Sequence, residues 1–251
     1  PGAVVAVVVL DNYLPAERQD AGAASARQVQ IAKYARGEDY HRVLMRRLGR
    51  LADWLHERGA TVAHPWTDNG PVPERELAQR AGLGWIGKNT MLIRPESGSF
   101  CFIGTVFTDL PLAPARTAEY DRCGSCTRCL DACPTEAFVA PRVLNATRCI
   151  SYLTIESRAP IPEVVVPRLE GWAFGCDICN DVCPWNTRFS ETTTVAEYAD
   201  RGAIATGDPG FFDPMTEADF AQRFGDSPLE RPGLAGMRRN WAAAFRSIES
   251  R

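Results

Sequence analysis

The sequence predicts an α+β chain in three parts, and three observations support that prediction. Apolar patterns typical of strands and helices alternate up to about residue 110, and a proline-containing linker follows at residues 111–122. Eight of the nine cysteines then fall within residues 123–183, and the more polar remainder carries two helical patterns. With 251 residues, of which 45% are hydrophobic, the chain is long enough to bury a sizeable core.

The N-terminal part begins with a continuous, Val-rich apolar run at residues 3–10, which predicts a strand covered on both faces. At residues 39–58, four leucines at helical spacing form one apolar stripe, and Gly59 is a plausible end of that helix. Shorter patterns predict strands at 60–63, 90–94 and 100–107, a loop at 64–71, and helices at 74–81, 216–224 and 236–248.

The cysteine spacing predicts two [4Fe–4S] clusters. C-x2-C-x2-C-x3-C-P at residues 123–134 has the bacterial ferredoxin spacing, and C-x2-C-x3-C-P at 176–184 is its incomplete second copy. Three closely spaced thiolates surround one cubane, while the cysteine before proline reaches the other cluster. The first cluster is therefore assigned to Cys123, Cys126, Cys129 and Cys183, and the second, with Cys149 as the missing ligand, to Cys133, Cys149, Cys176 and Cys179.

Zinc sites built from four thiolates are the alternative, but they require no C-x3-C-P tail, so the spacing favours clusters. Cys101 stands apart in an apolar strand pattern, and we expect an ordinary buried thiol there. Clusters only move electrons, and a two-cluster ferredoxin needs far fewer residues than this chain has. We therefore expect the N-terminal part to use those electrons.

Charge and hydropathy exclude two classes of protein. The formal net charge of −3 excludes a broadly basic nucleic-acid coat protein. No apolar run reaches the roughly 18 residues that a membrane span needs, and no signal-peptide pattern opens the sequence. We therefore expect a cytoplasmic protein that makes no membrane contact.

With all parts in view, the sequence resembles the epoxyqueuosine reductase family, which is related to the reductive dehalogenases. The resemblance rests on six stretches: YARGEDYH at 34–41, DNGPVPER at 68–75, AGLGWIGK at 81–88, GSFCF at 98–102, RCISYLT at 148–154 and GCDICNDVCPWN at 175–186. It implies a nitroreductase-like α/β cobalamin-binding domain at 1–115, shortened at its N-terminus relative to the family. It also implies a ferredoxin-like domain with two [4Fe–4S] clusters at 116–190, and a short helical region at 191–251 that begins the tRNA-binding part.

The resemblance implies the last step of queuosine formation in the tRNA anticodon loop, catalysed by an oxidoreductase. The epoxide oxygen of epoxyqueuosine leaves as water and an alkene remains, which consumes two electrons and two protons. The family's proton donor matches Asp68, because a developing alkoxide must be protonated and a carboxylic acid can do this once desolvation raises its pKa. The alternative is that Asp68 is only a turn residue before Gly70 and Pro71.

The resemblance also implies cobalamin as a cofactor, with no protein histidine below the cobalt. The stretch beginning Asp39-Tyr40-His41 has Leu44 where a cobalt-ligating motif has glycine, so we expect His41 to serve in packing or capping. By the same resemblance, the corrin is lined by Asp68, Leu92, Ile103, Ser151, Cys176 and Asp177.

The expected partners are a tRNA anticodon stem-loop carrying epoxyqueuosine and an unknown low-potential electron donor, and we expect a monomer. Five arginines at residues 231–251 form a basic patch that either contacts tRNA phosphates or is a solvated helix face: Arg231, Arg238, Arg239, Arg246 and Arg251. Three other readings remain open. They are another cobalamin reductase such as a dehalogenase-like enzyme, a ferredoxin-type electron carrier, and a tRNA-binding remnant without catalysis.

Overall fold

The computed structural model describes residues 2–16, 28–115, 121–204 and 206–250, and these mix short strands with helices. The strands are β1 Val5–Asn12, β2 Gln30–Ile31, β3 Ala63–Trp66, β4 Trp85–Ile86, β5 Leu92–Ile93, β6 Cys101–Thr108, β7 Phe138–Ala140, β8 Val143–Leu144 and β9 Trp172–Phe174. The helices are α1 Tyr40–His56, α2 Glu74–Arg80, α3 Arg128–Asp131, α4 Ile150–Ile155, α5 Ile178–Asp181, α6 Pro184–Phe189, α7 Glu217–Phe224 and α8 Gly233–Glu249. None of these helices is long and apolar enough to cross a bilayer.

The largest sheet is antiparallel, with the strand order β1-β6-β3. The N-terminal part is therefore α+β in its connections and not a parallel α/β sheet. The strand predicted at 60–63 is displaced, since β3 spans Ala63–Trp66 and takes in part of the predicted loop. Pro65 is tolerated there because β3 lies at an edge of the sheet, where a missing N–H costs no ladder bond to a further strand.

Helix α1 packs on this sheet through the predicted leucine stripe. Leu44, Leu48 and Leu55 are each 1% exposed, whereas Leu51 is partly buried. Gly104 of β6 permits the close approach, because a Cβ there would lie 3.0 Å from both methyl carbons of Leu48. The predicted helix at 39–58 is thus confirmed, with Asp39 as its N-cap.

A second core forms around α8. Trp241 and Met237 are fully buried against Phe212, Phe220 and Phe224 from the preceding segments, and against Phe174 of β9. The predicted helix at 216–224 is confirmed as α7, which Thr216 caps reciprocally with Asp219. Helix α8 begins three residues before the predicted start at Gly236.

The cysteine-rich part consists of two similar turns of chain. Cys129 and Cys179 lie in the one-turn helices α3 and α5, which start directly after the preceding cysteine-bearing loops. Cys183 is the N-cap of α6, whose first residue is Pro184, the position where a missing N–H is harmless. The sequence repeat in the cysteine spacing is therefore also a structural repeat.

A buried polar network joins the N-terminal part to the cysteine-rich part. The Ser99 N–H donates to Asn186 Oδ1 at 2.6 Å, and Asn186 Nδ2 donates to Ser99 Oγ and to the Asn180 carbonyl, both at 2.8 Å. Asn186 is 2% exposed. Gly98 has a φ of +73°, and a Cβ there would lie 2.1 Å from Asn186 Oδ1, so this junction requires glycine.

We expect Asn186→Ala to lower the free energy of unfolding by about 2–4 kcal/mol, because it leaves the buried Ser99 N–H without a partner and removes one hydrogen bond each from Ser99 Oγ and the Asn180 carbonyl. Urea unfolding followed by circular dichroism measures the change. Thr187→Ala, at the neighbouring exposed position, is the control and should cost less than about 1 kcal/mol. Equal losses in the two variants would mean that the network adds no stability.

Candidate functional site

The four cysteines assigned to the first cluster line one cavity of about 330 Å³. Burial raises the pKa of the Cys129 thiol, and the neighbouring thiols of Cys183, Cys123 and Cys126 raise it further by repulsion. Burial likewise raises the pKa of Cys183, with Cys123 and Cys126 adding to the effect. The four sulfur atoms therefore face one another.

The four cysteines assigned to the second cluster form an adjacent group. Burial raises the pKa of the Cys179 thiol, and repulsion from Cys149, Cys129, Asp177 and Cys133, in that order, adds to it. Cys176 is affected in the same way by burial and by Cys179 and Cys149. Cys179 also interacts with Cys129 of the first group, so the two groups are neighbours.

Within the described ranges, no three His, Cys, Asp or Glu side chains converge closely enough to hold a single metal ion. The thiols instead stand around a space, which suits a cubane whose corners keep its four thiolates apart. N–H groups point at these sulfurs, among them Trp85 Nε1, which lies 3.4 Å from Cys123 Sγ, and the Ala137 N–H, which donates to Cys133 Sγ at 3.3 Å.

A second, larger cavity of about 1180 Å³ opens beside the main sheet. One wall is aromatic, with Tyr40 stacked on Phe102 at 4.3 Å between ring centroids and Tyr13 against Phe102 at 4.5 Å. Carboxylates are frequent in the rest of the lining: Asp39, Asp68, Glu74, Glu76, Glu156 and Glu230. Its volume exceeds the range of about 300–1,000 Å³ typical of drug-sized ligands, so it suits a larger group.

Asp68 lies at this cavity on the turn that links β3 to α2. Its N–H donates to Glu74 Oε1 at 2.9 Å, and its carboxylate accepts a short hydrogen bond from the Tyr40 hydroxyl. The backbone has a φ of +46°, a left-handed conformation that non-glycine residues seldom adopt. The side chain is 64% exposed, so the protein alone does not desolvate this carboxylate.

His41 and Asp39 form a pair at the start of α1. Asp39 Oδ1 lies 2.8 Å from His41 Nδ1 and accepts the His41 N–H at 2.9 Å, while His41 Nε2 lies 3.9 Å from Asp68 Oδ2. The hydrogen bond to Asp39 raises the pKa of His41, although burial acts in the opposite direction. The expected role of His41 in packing and capping agrees with these contacts.

Because the folded-state pKa of His41 is raised, protonated His41 stabilises the fold fully below about pH 6.5, its unfolded-state value, and this stabilisation is lost as the pH rises through the higher folded value. We therefore expect the stability advantage of the wild type over His41→Gln to be largest near about pH 5.5 and to shrink by about pH 8.5. Urea midpoints across this range measure it. A difference that is the same at every pH would contradict this reading of the pair.

The other residues predicted to line the cofactor divide into two sets. Ile103 and Ser151 line the large cavity. Leu92 is 3% exposed and pairs with Ile86, while Cys176 and Asp177 belong to the cysteine groups, and none of the three is in the described lining. Asp177 is also buried, and its carboxylate accepts the Lys33 N–H at 2.7 Å.

The large cavity is nearer to the second cysteine group than to the first. Its lining residue Ser151 lies two residues after Cys149 of the second group, at the start of α4. Burial raises the pKa of the lining residue Tyr13, and Asp177 and Cys179 add to that effect. No described residue lines both cavities. Cys101 lines the large cavity and is partly exposed, so it is not the fully buried thiol that the strand pattern predicted. Desolvation raises the pKa of its thiol to about 12, so it stays protonated.

The C-terminal arginines do not form a free basic row. Arg239 donates to the carbonyls of Leu153, Ser157 and Ala159, and Arg238 donates to three carbonyls of the segment before α7. Arg246 pairs with Glu163 at 3.1 Å, Arg231 pairs with Glu156 at 2.8 Å, and Arg251 lies outside the described residues. These side chains link α8 and the residues just before it to neighbouring segments. Neither predicted role, contact with tRNA phosphates or a solvated helix face, describes them fully.

Sequence reasoning missed two partners of Asp68. Tyr40 lies 28 positions earlier on α1, and no local pattern connects it with the turn. Glu74 is six residues after Asp68, at the start of α2, where an acidic residue is common because it interacts favourably with the helix dipole. Tyr40 and Glu74 both lie in stretches that carry the family resemblance, at 34–41 and 68–75, and this was the signal in the sequence that could have linked them to Asp68.

Two family models match the sequence. A double-cluster 4Fe–4S binding domain matches residues 122–186, and a model described as epoxyqueuosine reductase QueG, DUF1730, matches residues 1–68. Among curated relatives, an epoxyqueuosine reductase from Synechocystis sp. is 42% identical over 238 residues, which cover 94% of this chain and 81% of the relative. One from Pseudomonas aeruginosa is 38% identical over 252 residues, covering 100% of this chain and 70% of the relative.

Solved structures give the same result. An epoxyqueuosine reductase crystallised with an epoxyqueuosine-modified tRNA-Tyr stem loop superimposes with a TM-score of 0.91 at 32% identity, over 99% of this chain and 66% of that one. The Bacillus subtilis enzyme, solved with its catalytic aspartate loop swung out of the active site, superimposes with a TM-score of 0.88 at 31% identity and the same coverage.

Proposed function

This chain belongs to the epoxyqueuosine reductase family, and on that premise we propose that it reduces epoxyqueuosine in a tRNA anticodon loop to queuosine. The reaction removes the epoxide oxygen as water and leaves an alkene, at the expense of two electrons and two protons. The observation that carries the proposal is the large cavity, which brings Asp68 to a site beside two neighbouring cysteine groups.

The proposal divides the eight cysteines as the spacing predicts. Cys123, Cys126, Cys129 and Cys183 hold one [4Fe–4S] cluster, and Cys133, Cys149, Cys176 and Cys179 hold the other. The cavity that the first four cysteines line together supports this division. The two clusters supply a one-electron relay that ends beside the cavity.

The large cavity suits cobalamin, which supplies a low-potential, nucleophilic cobalt centre when bound. The volume and the aromatic wall support this assignment, since a macrocycle needs a wide space and a flat apolar surface. Ile103 and Ser151 line the space directly, and Leu92, Cys176 and Asp177, which lie outside its described lining, remain proposed contacts of the bound group. His41 is engaged with Asp39, so no histidine of the wall is assigned to the metal.

Asp68 is the proposed proton donor. Tyr40 and Glu74 fix its carboxylate and its backbone, and a bound substrate displaces the water that now surrounds the side chain. With that solvent excluded, the carboxyl group of Asp68 is placed to give a proton to the oxygen of the opened epoxide. The Bacillus subtilis relative, whose catalytic loop carries an aspartate, supports the assignment.

The substrate's RNA backbone stays outside the cavity in this proposal. Six carboxylates in the lining outnumber its two arginines, Arg75 and Arg231, and disfavour phosphates, so the modified base enters while the phosphates contact the outer surface. The division into a cobalamin domain at 1–115, a two-cluster domain at 116–190 and a tRNA-contacting helical region at 191–251 is part of the proposal. A plain electron carrier would not need such a cavity, and a dehalogenase would not need to accommodate RNA.

The test is direct. The anaerobically reconstituted protein is incubated with cobalamin, a low-potential reductant and tRNA carrying epoxyqueuosine, and nucleosides are quantified by mass spectrometry. We expect queuosine to appear, and to be absent when cobalamin is omitted. Full loading with iron, sulfide and cobalamin but no queuosine would overturn the assignment for this chain.

A further inference from the structure

The outer edge of the first cysteine group is bordered by positive charge. The described lining of its cavity contains four basic side chains and no carboxylate: Lys88, Arg122, Arg128 and Arg188. The three arginines are exposed. This is the opposite of the large cavity, whose lining is rich in carboxylates, although the whole chain has a formal net charge of −3.

Aromatic side chains hold this positive border in place. The Arg122 guanidinium lies 5.9 Å from the Trp185 ring, and the Arg188 guanidinium lies 5.2 Å from the Phe189 ring. Trp185 and Phe189 stack on each other at 5.3 Å. Such stacking holds the guanidinium groups extended over the aromatic surface, and the groups keep their positive charge.

Lys88 fixes the cysteine loop beneath this border. Its Nζ donates to the carbonyls of Gly124 at 2.7 Å and of Cys126 at 2.9 Å. The loop that carries the first two cysteines is therefore held at the surface, where a visiting protein can approach the cluster closely. We call Arg122, Arg128 and Arg188, together with the exposed edge of this cysteine group, the arginine border.

We propose that the arginine border is the docking surface for the electron donor, and that this donor is an acidic one-electron carrier protein. The inference rests on the proposed function, because it names the partner of the same relay. In each encounter the donor is oxidised by one electron and the cluster held by Cys123, Cys126, Cys129 and Cys183 is reduced by one. Two encounters supply the two electrons that one epoxide consumes.

Position favours an electron carrier over RNA as the occupant. The border surrounds the first cysteine group, whose cavity shares no described lining residue with the substrate cavity, whereas Ser151, two residues after Cys149 of the second group, lines the substrate cavity. A bound tRNA must place its modified base in that substrate cavity, away from the border. An electron must enter at the cluster farther from the substrate if both clusters are to carry it. Charge complementarity steers acidic partners to such a site and raises the association rate by about 10–10³-fold.

The test uses a reduced, low-potential flavodoxin with a strong excess of carboxylates. Stopped-flow bleaching of the iron–sulfur absorbance gives the second-order rate of reduction as a function of salt. We expect that rate to fall steeply with salt in the wild type, and to be lowered about 10-fold or more at low salt in Arg128→Gln/Arg188→Gln. The control Arg50→Gln/Arg58→Gln removes the same charge from exposed arginines in α1 and just after it, and it should leave the rate of reduction unchanged.

Two further arms separate the possible failures. With a small chemical reductant, Arg128→Gln/Arg188→Gln should form queuosine at the wild-type rate. If the wild type itself forms no queuosine with that reductant, the result counts against the proposed function and not against the docking surface. Unchanged reduction by flavodoxin in this variant would overturn the docking surface. Weaker binding of an epoxyqueuosine stem-loop with unchanged reduction by flavodoxin would show that the border contacts RNA instead.

A different observation carries a second inference, on Trp85. Its indole N–H has Cys123 Sγ as its partner at 3.4 Å, and the side chain is 1% exposed. Hydrogen bonds to ligating sulfurs help set the potential of iron–sulfur clusters, because they stabilise the more negative, reduced state. We infer that Trp85 is a positioning residue that raises the reduction potential of the cluster bound by Cys123, and so helps it accept electrons.

Redox titration monitored by electron paramagnetic resonance tests this inference. Trp85→Phe should move one of the two clusters to a lower midpoint potential and leave the other in place. Trp241→Phe is the matched control, because Trp241 is also 1% exposed. This substitution also removes one indole hydrogen bond, which Trp241 donates to the Asp208 carbonyl and not to a cysteine. If Trp85→Phe left both midpoint potentials unchanged, the hydrogen bond would have no such role. A raised potential would also overturn the inference, since water that enters the vacated space would produce it.

Discussion

Replacing Asp68 with Asn is expected to lower queuosine formation by about 10²–10⁴-fold, the usual contribution of a positioned general acid. The amide keeps the size of the side chain and can still accept the Tyr40 hydroxyl, but it has no proton to give to the epoxide oxygen. Single-turnover assays with the pre-reduced protein measure the effect without interference from electron delivery.

Two readouts show that the loss is chemical. Iron content should match the wild type in Asp68→Asn, because the described contacts of the side chain include no cysteine, and cobalamin should still bind because the amide has the size of the carboxylate that it replaces. Asp53→Asn, on the exposed face of α1, is the matched control and should retain full activity. If Asp68→Asn turned over within about threefold of the wild type, Asp68 would be a turn residue and the proton would come from another group.

Cys129→Ser and Cys179→Ser are expected to abolish product formation with any reductant that acts through the clusters, because each removes one ligand from a different link of the relay. About half of the iron should be lost in each variant, since the other group keeps its four thiolates. Iron and sulfide analysis, with absorbance near the thiolate-to-iron band, measures both losses. The two variants should differ in which cluster signal disappears.

Cys101→Ala provides the contrast in the same assay. Cys101 lies on the large cavity, apart from both groups, so this variant should keep all of its iron. Loss of iron in Cys101→Ala, or full iron in either of the serine variants, would contradict the division of the cysteines.

The sequence predicted the cysteine-rich part well because its constraints are local. A C-x2-C-x2-C stretch must curve around one centre, and the prolines after Cys133 and Cys183 mark the point where the chain turns away. The leucine stripe of α1 and the capped helix α7 were similarly readable, since residues three and four apart share one face. The family resemblance drawn from six short stretches was confirmed by relatives near 40% identity.

The remainder depends on contacts between distant residues. Strand β3 forms at Ala63–Trp66 and not at 60–63, because pairing with β6 decides its register and local preference does not. The arginines of α8 resemble an RNA-binding row in sequence, yet Arg239 donates hydrogen bonds to carbonyls of α4 and of the segment after it. The surroundings of Asp68 come from α1 and α2, which no pattern within the turn reveals.

The central claim is that electrons stored at the cysteine groups reach an epoxide in the cavity beside Asp68. The most direct measurement mixes the fully reduced, cobalamin-loaded protein anaerobically with an epoxyqueuosine stem-loop and no other reductant. Iron–sulfur absorbance and queuosine are then followed together. The account predicts that the absorbance returns to its oxidised value as queuosine forms, with two electrons lost for each queuosine. Queuosine formed while the clusters stay reduced, or oxidation of the clusters without queuosine, would contradict it.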